Sequence, residues 1–121
     1  MDQGNTEMIE TKILNYLKTK LNMTNIFLET PKTIPSEFIV FQVVNRSRSN
    51  LIDDVTVEFY SYSTSKYNSC LLDQQVRAAM YDFADEIDIS ASRLGGGNDS
   101  PDTTLKKYRY RCYFNITYME E

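Results

Sequence analysis

The sequence predicts an α+β fold: a two-layer sandwich of about five mostly antiparallel strands with two helices on one sheet face, in the order α-β-β-β-α-β-β. Three observations carry that expectation. Two segments each hold a single apolar stripe at helical spacing. Several others, above all the last, alternate apolar and polar residues with the period of a strand. The 121 residues include no internal repeat and no linker rich in Pro, Gly or Ser, so residues 1–121 read as one domain.

The first helix is expected over Thr6–Leu21, where Ile9, Ile13, Tyr16, Leu17 and Leu21 fall on one stripe. Glu7 and Glu10 suit its first turns and Lys18 and Lys20 its last, as the helix dipole prefers. Asn5 or Thr6 can cap its start, and Asn22 can take the left-handed position after its end. Ile26–Glu29 reads as a short strand before Pro31 and Pro35. Phe38–Val44 is a nearly continuous apolar run, suited to a central strand covered on both faces. Polar Arg46–Asn50 then reads as a loop or a hairpin end, and Asp53 and Asp54 fit a loop before the next strand. Val55–Tyr62 alternates, with Val55, Val57 and Phe59 on one face and Thr56, Glu58, Tyr60 and Tyr62 on the other. The two runs are expected to form an antiparallel hairpin joined by an Arg46–Asp54 loop.

Ser63, Thr64 and Ser65 offer capping hydroxyls for a second helix reaching about Asp85. Its stripe is Leu72, Val76, Ala79, Met80, Phe83, Ala84 and Ile87. A weak strand, Ile89–Leu94, precedes a Gly-rich run read as a flexible loop over about residues 95–104. Tyr108, Tyr110, Cys112, Phe114, Ile116 and Tyr118 then alternate with polar neighbours in the strongest strand signal of the chain. About twelve residues at ~3.3 Å each would span roughly 40 Å, twice an ordinary strand. Val76, Met80 and Phe83 are expected to pack on the face carrying Tyr110, Cys112 and Phe114.

Composition narrows the chemistry. Lys and Arg number 13 against 17 Asp and Glu, so the net charge is −4, which counts against a dedicated nucleic-acid binder. Histidine is absent, removing Ser-His-Asp and Cys-His schemes and most catalytic zinc sites. An enzyme is therefore not expected, and no cofactor or metal is implied. Cys70 and Cys112 are not spaced as a metal pair and read as small apolar residues. No apolar run approaches the ~20 residues that cross a bilayer. Residues 1–5 lack the basic start and apolar stretch of a signal peptide, so the chain is expected inside a cell or inside something assembled there.

Consecutive Gly95, Gly96 and Gly97 lead into Asn98 and Asp99 rather than a Lys-Ser/Thr pair, so no phosphate loop is expected. Asp82, Asp85, Glu86 and Asp88 match no calcium loop; Asp82, Asp85 and Glu86 share the polar helix face opposite the Leu72–Phe83 stripe. Lys107, Arg109 and Arg111 alternate along the last strand, which projects them from one face about 7 Å apart. Tyr108 and Tyr110 fall on the other face, so a mixed stacking platform is not expected. The stripe reads either as a solvated outer face or as a positive surface for acidic protein or passing nucleic acid. Three like charges in a row repel unless compensated. The Asp82–Asp102 segment, with six acids and one Arg, can supply that compensation within the chain or from a neighbour. Arg109 and Arg111 are expected to add little to the fold of the single chain.

The order and texture of these pieces resemble the small tail terminator, or tail-to-head joining, proteins of long-tailed bacteriophages. The matching residues are Asn15–Lys18 at the end of the first helix and Phe38–Gln42 after a Pro-containing loop. Val57–Ser63, Leu71–Met80 and Lys107–Tyr118 complete the set. The resemblance implies an α/β subunit that assembles as a homo-hexameric ring. Such a ring sits on the finished tail tube, stops its polymerisation, meets the head connector and leaves a channel for DNA. It also implies a place in the virion tail or neck, reached from the host cytoplasm during assembly, with no membrane partner. Lys107, Arg109 and Arg111 would then form one intersubunit or channel-facing patch, and Asp82, Asp85 and Glu86 another. The overlong last strand would offer unpaired backbone to a neighbour. Another neck, head-completion or minor capsid protein is the alternative in this class; a small cytoplasmic binding domain is the alternative outside it.

Overall fold

A computed structural model describes residues 8–119. Helix α1 (Ile9–Leu21) buries Ile9, Ile13 and Leu17 and ends where Asn22 turns left-handed, at φ 51°. It starts at Ile9, the first residue of its stripe and three residues later than the expected Thr6, after an extended Met8. The caps expected from Asn5 or Thr6, and the place of Glu7, lie outside the described residues. Strand β1 (Ile26–Phe27) is shorter than predicted and runs parallel to β2.

Strands β2 (Phe38–Ser49) and β3 (Ile52–Ser63) form the expected antiparallel hairpin, but the loop over 46–54 does not exist. Arg46–Ser49 continue β2, Asp53 and Asp54 belong to β3, and only Asn50 and Leu51 turn the chain, at φ 53° and 69°. Two successive left-handed residues match the right-handed twist of a two-residue hairpin. Asn adopts that conformation readily and Leu does not. The polar run conceals the strand because its cross-strand partners are polar too: Arg48 faces Asp53, and Ser47 faces Asp54. Burial of β2 on both faces is confined to its start, where Phe38 and Ile39 are both buried and Gln42 is already exposed.

Helix α2 (Lys66–Asp82) begins as the sequence predicts, with the Ser65 hydroxyl accepting from the Asn68 N–H at 3.0 Å. A 3-10 turn, Phe83–Asp85, carries it to the predicted end. Ile87 leaves the stripe: it lies beyond the helix and is 78% exposed. Strand β4 (Ile89–Asp99) overturns the loop read over 95–104, because Gly96–Asp99 pair with β5 (Tyr108–Met119) and Gly95 lies within the strand at a bulge. The glycines serve neighbours rather than mobility. A Cβ on Gly95 would sit 2.1 Å from the Tyr113 ring, and one on Gly97 would sit 2.4 Å from both the Arg111 carbonyl and Arg77 Nη2. The turn itself occupies 100–107, closed by paired backbone hydrogen bonds between Asp102 and Lys107.

The sheet order is β1-β2-β3-β5-β4, antiparallel except for β1 beside β2. The long last strand therefore has no open edge: β3 and β4 flank it, and the unpaired backbone expected there is absent. Both helices cover one face. Ile13, Leu17, Val76, Met80 and Phe83 share a single core with Ile39, Phe41, Phe59, Cys112, Phe114 and Ile116. Tyr110 sits half-buried at its margin. Side-chain donors tie the layers together. Tyr16 Oη donates to the Ala79 carbonyl at 2.6 Å, and Ser92 Oγ to the Met80 carbonyl at 2.6 Å, satisfying acceptors near the end of α2.

Phe83 is fully buried and meets the Tyr16 ring at 4.9 Å between centroids, joining both helices to the sheet. Phe83→Ala is expected to cost about 3–5 kcal/mol, read as a lowered thermal midpoint. A variant melting with the parent would show that the helix-on-sheet packing is misassigned.

Candidate functional site

The uncovered sheet face is ordered in rows. β3 and β5 pair from Ile52 opposite Met119 to Ser63 opposite Tyr108, so alternation puts Glu58, Tyr60 and Tyr62 beside Tyr113, Arg111 and Arg109. β2 adds Phe38, Val40 and Gln42 opposite Tyr62, Tyr60 and Glu58. Arg109 and Arg111 thus lie on the face away from the helices, as their spacing predicts. Lys107 falls short of β5 and belongs to the 100–107 turn.

The arginines are not free. Arg111 clamps Glu58 Oε2 through Nε at 2.8 Å and Nη2 at 2.5 Å. Arg109 donates to the Ser100 carbonyl at 2.6 Å and to Tyr62 Oη at 3.2 Å, and lies 3.6 Å from Asp102 Oδ2. Its guanidinium also covers the Tyr60 ring at 4.8 Å, while that of Arg111 covers Tyr113 at 5.2 Å. The compensation for the basic stripe comes from Glu58 and Asp102 within the chain. The expectation that Arg109 and Arg111 add little to the fold is therefore corrected: they hold the sheet face and the turn together. The mixed aromatic and cationic face ruled out from β5 alone does form, with β3 supplying Tyr60 and Tyr62.

Electrostatics follow the same contacts. Burial would raise the Glu58 carboxyl, but hydrogen bonds from Arg111 and Tyr60 outweigh it and hold the group below its ordinary value. Asp102 is likewise pushed up by burial. The Leu105 N–H, the Tyr62 hydroxyl and the Arg109 charge reverse that and hold it low.

Asp82, Asp85 and Glu86 sit across the molecule, at the end of the helical layer. Asp82 pairs with Lys20 at 3.3 Å, and Asp85 and Glu86 are exposed. Burial and the fields of Asp82, Glu86 and Asp85 push the Tyr16 hydroxyl up to about 12. The chain does not bring this acidic group to the arginines. Among the described residues, no group of three or more His, Cys, Asp or Glu is disposed to hold a metal ion. No helix among them is long and apolar enough to cross a membrane.

One polar cluster escapes the sequence reading. Asp73 is 2% exposed in the buried stripe of α2, held by Arg77 Nε at 2.7 Å, with Oδ1 unpartnered. Burial raises its carboxyl despite the Arg77 charge, and burial beside Asp73 raises the Cys112 thiol, which stays protonated. An Asp and Arg four apart on a helix read as a surface pair. The signal that marked this one as buried was Leu72 and Val76 on either side.

Because Glu58 and Asp102 titrate lower in the fold than in the unfolded chain, their stabilisation is complete above the ordinary carboxylate range. It is lost as pH falls through their folded values. The thermal midpoint should therefore drop as pH falls below 4.5, the ordinary glutamate value. Glu58→Gln should flatten part of that dependence, and an unchanged profile would refute the clamp. Arg111→Ala should cost about 1.5–3 kcal/mol, the range for hydrogen bonds to a charged group.

No protein-family model matches the chain and no curated protein does, so a functional reading rests on this geometry and on the resemblance in its residues.

Proposed function

We propose that the chain is a structural, non-enzymatic subunit of a long-tailed bacteriophage tail. It acts as a tail terminator whose copies close into a six-membered ring between the tail tube and the head connector. The observation that carries this reading is the pair of unlike open edges of the sheet. Among the described residues no strand covers the outer edge of β4, and β1 covers β2 only at Ile39 and Val40. A sheet with two different open edges favours head-to-tail contacts, in which one patch meets another on the next copy, and such contacts close into a ring when the rotation between copies divides a full turn. Asp85 and Glu86, exposed and on a different side of the subunit from Arg109 and Arg111, leave an acidic surface that a neighbouring copy could meet. In this reading the chain works by interface matching in the virion, after assembly in the host cytoplasm, around a channel through which DNA passes.

Native mass spectrometry or sedimentation at high micromolar concentration should report a closed ring of six. Electron microscopy of virions should find the chain at the tail-to-head junction. A chain that stays monomeric and is missing from the particle would overturn the reading.

A further inference from the structure

Helix α2 carries a second stripe, opposite the one it buries. Tyr67, Leu71, Gln74, Ala78 and Tyr81 follow one another at spacings of 4, 3, 4 and 3, the repeat of a helix-pairing seam. All of them are exposed: Tyr67 72%, Leu71 40% and Tyr81 53%, and Gln74 and Ala78 as well, although the inner edge of the Tyr81 ring reaches the core. A helix lying on a sheet ordinarily presents charge to solvent at these positions. Here no charged residue occupies the seam.

The seam reads nearly the same in both directions about Gln74. Run antiparallel against itself, it sets Tyr67 against Tyr81 at each end and Leu71 against Ala78, large against small. Gln74 meets its twin at the centre, where two amides can exchange hydrogen bonds and fix the register. The charges at the ends of α2 are engaged within the chain, Asp82 with Lys20 and Lys66 with Asp99, each at 3.3 Å, so the seam itself carries the pairing. Tyr81 is already held, its ring edge-on to Phe114 at 5.5 Å, so little order is lost on docking.

We propose that two copies of the chain associate through this face of α2, antiparallel about a twofold axis through Gln74. The pairing uses the helical layer, while the ring proposed above uses sheet edges, so each can occur with or without the other. A 17-residue helix is about 25 Å long, and a pair of them buries less than a standard specific interface. The association is therefore weak in dilute solution and grows with concentration.

A twofold contact brings a residue against its own copy, which head-to-tail contacts do not. In the full chain carrying Cys70→Ser, Gln74→Cys should form a disulfide-linked dimer under mild oxidation at high micromolar concentration. Gln75→Cys, turned a step round the helix, should do so several-fold more slowly. Adding Leu71→Glu to the Gln74→Cys chain should abolish the crosslink while leaving the circular dichroism spectrum unchanged. Equal crosslinking at the two positions, none at either, or a crosslink that survives Leu71→Glu would overturn the proposal. A ring without the Gln74 crosslink would overturn this contact and leave the ring standing. The crosslink in a chain that forms no ring would do the reverse.

Discussion

The pairing of β3 with β5, in register from one end to the other, governs the rest of the molecule. Each strand contributes twelve residues, and the period of two sends alternate side chains to opposite faces. On one face Val55, Val57 and Phe59 meet Ile116, Phe114 and Cys112, forming an apolar floor for the helices. On the other, Glu58, Tyr60 and Tyr62 meet Tyr113, Arg111 and Arg109. A slip of one residue would exchange the two sets and place the arginines under α2. With β4 along its second edge, β5 also reaches its length without leaving backbone groups unpaired.

The polar face is held by charge-assisted hydrogen bonds that fix its geometry as well as adding stability. A two-point Arg111–Glu58 clamp fixes the positions of both side chains, but its Coulombic gain is set against the cost of removing both charges from water. The Asp73–Arg77 pair on the helical side meets that cost more fully, since the aspartate is almost wholly buried and one of its oxygens is unpartnered. Gly97 lets β4 run beneath Arg77 Nη2, where a methyl group would collide. Loss of strand propensity at the glycines is thus coupled to the seating of a buried ion pair.

The two outer edges are shaped as well as open. The β4 ladder shifts register between Ile89 and Ala91 and again between Leu94 and Gly96, and β2 shifts between Val43 and Asn45. Bulges bend and twist an edge and discourage indiscriminate pairing by another chain.

Local patterns in the sequence determined the elements themselves: the α2 stripe from Leu72 to Phe83, the Ser65 cap, the left-handed Asn22, and the alternation of β3 and β5. These depend on residues a few positions apart, so short-range periodicity and capping chemistry reveal them. The alternation likewise determined that Arg109 and Arg111 share a face away from Cys112 and Phe114. Only the tertiary structure decided the rest. Strand order made β5 an interior strand, and the pairing of polar with polar turned Arg46–Ser49 from loop into strand. The Tyr113 ring and the Arg77 guanidinium made a strand of Gly95–Gly97. Glu58 became the partner of Arg111 across 53 positions of sequence. Each of these depends on a neighbour brought close by the fold, and a residue's own sequence surroundings carry no trace of such a neighbour.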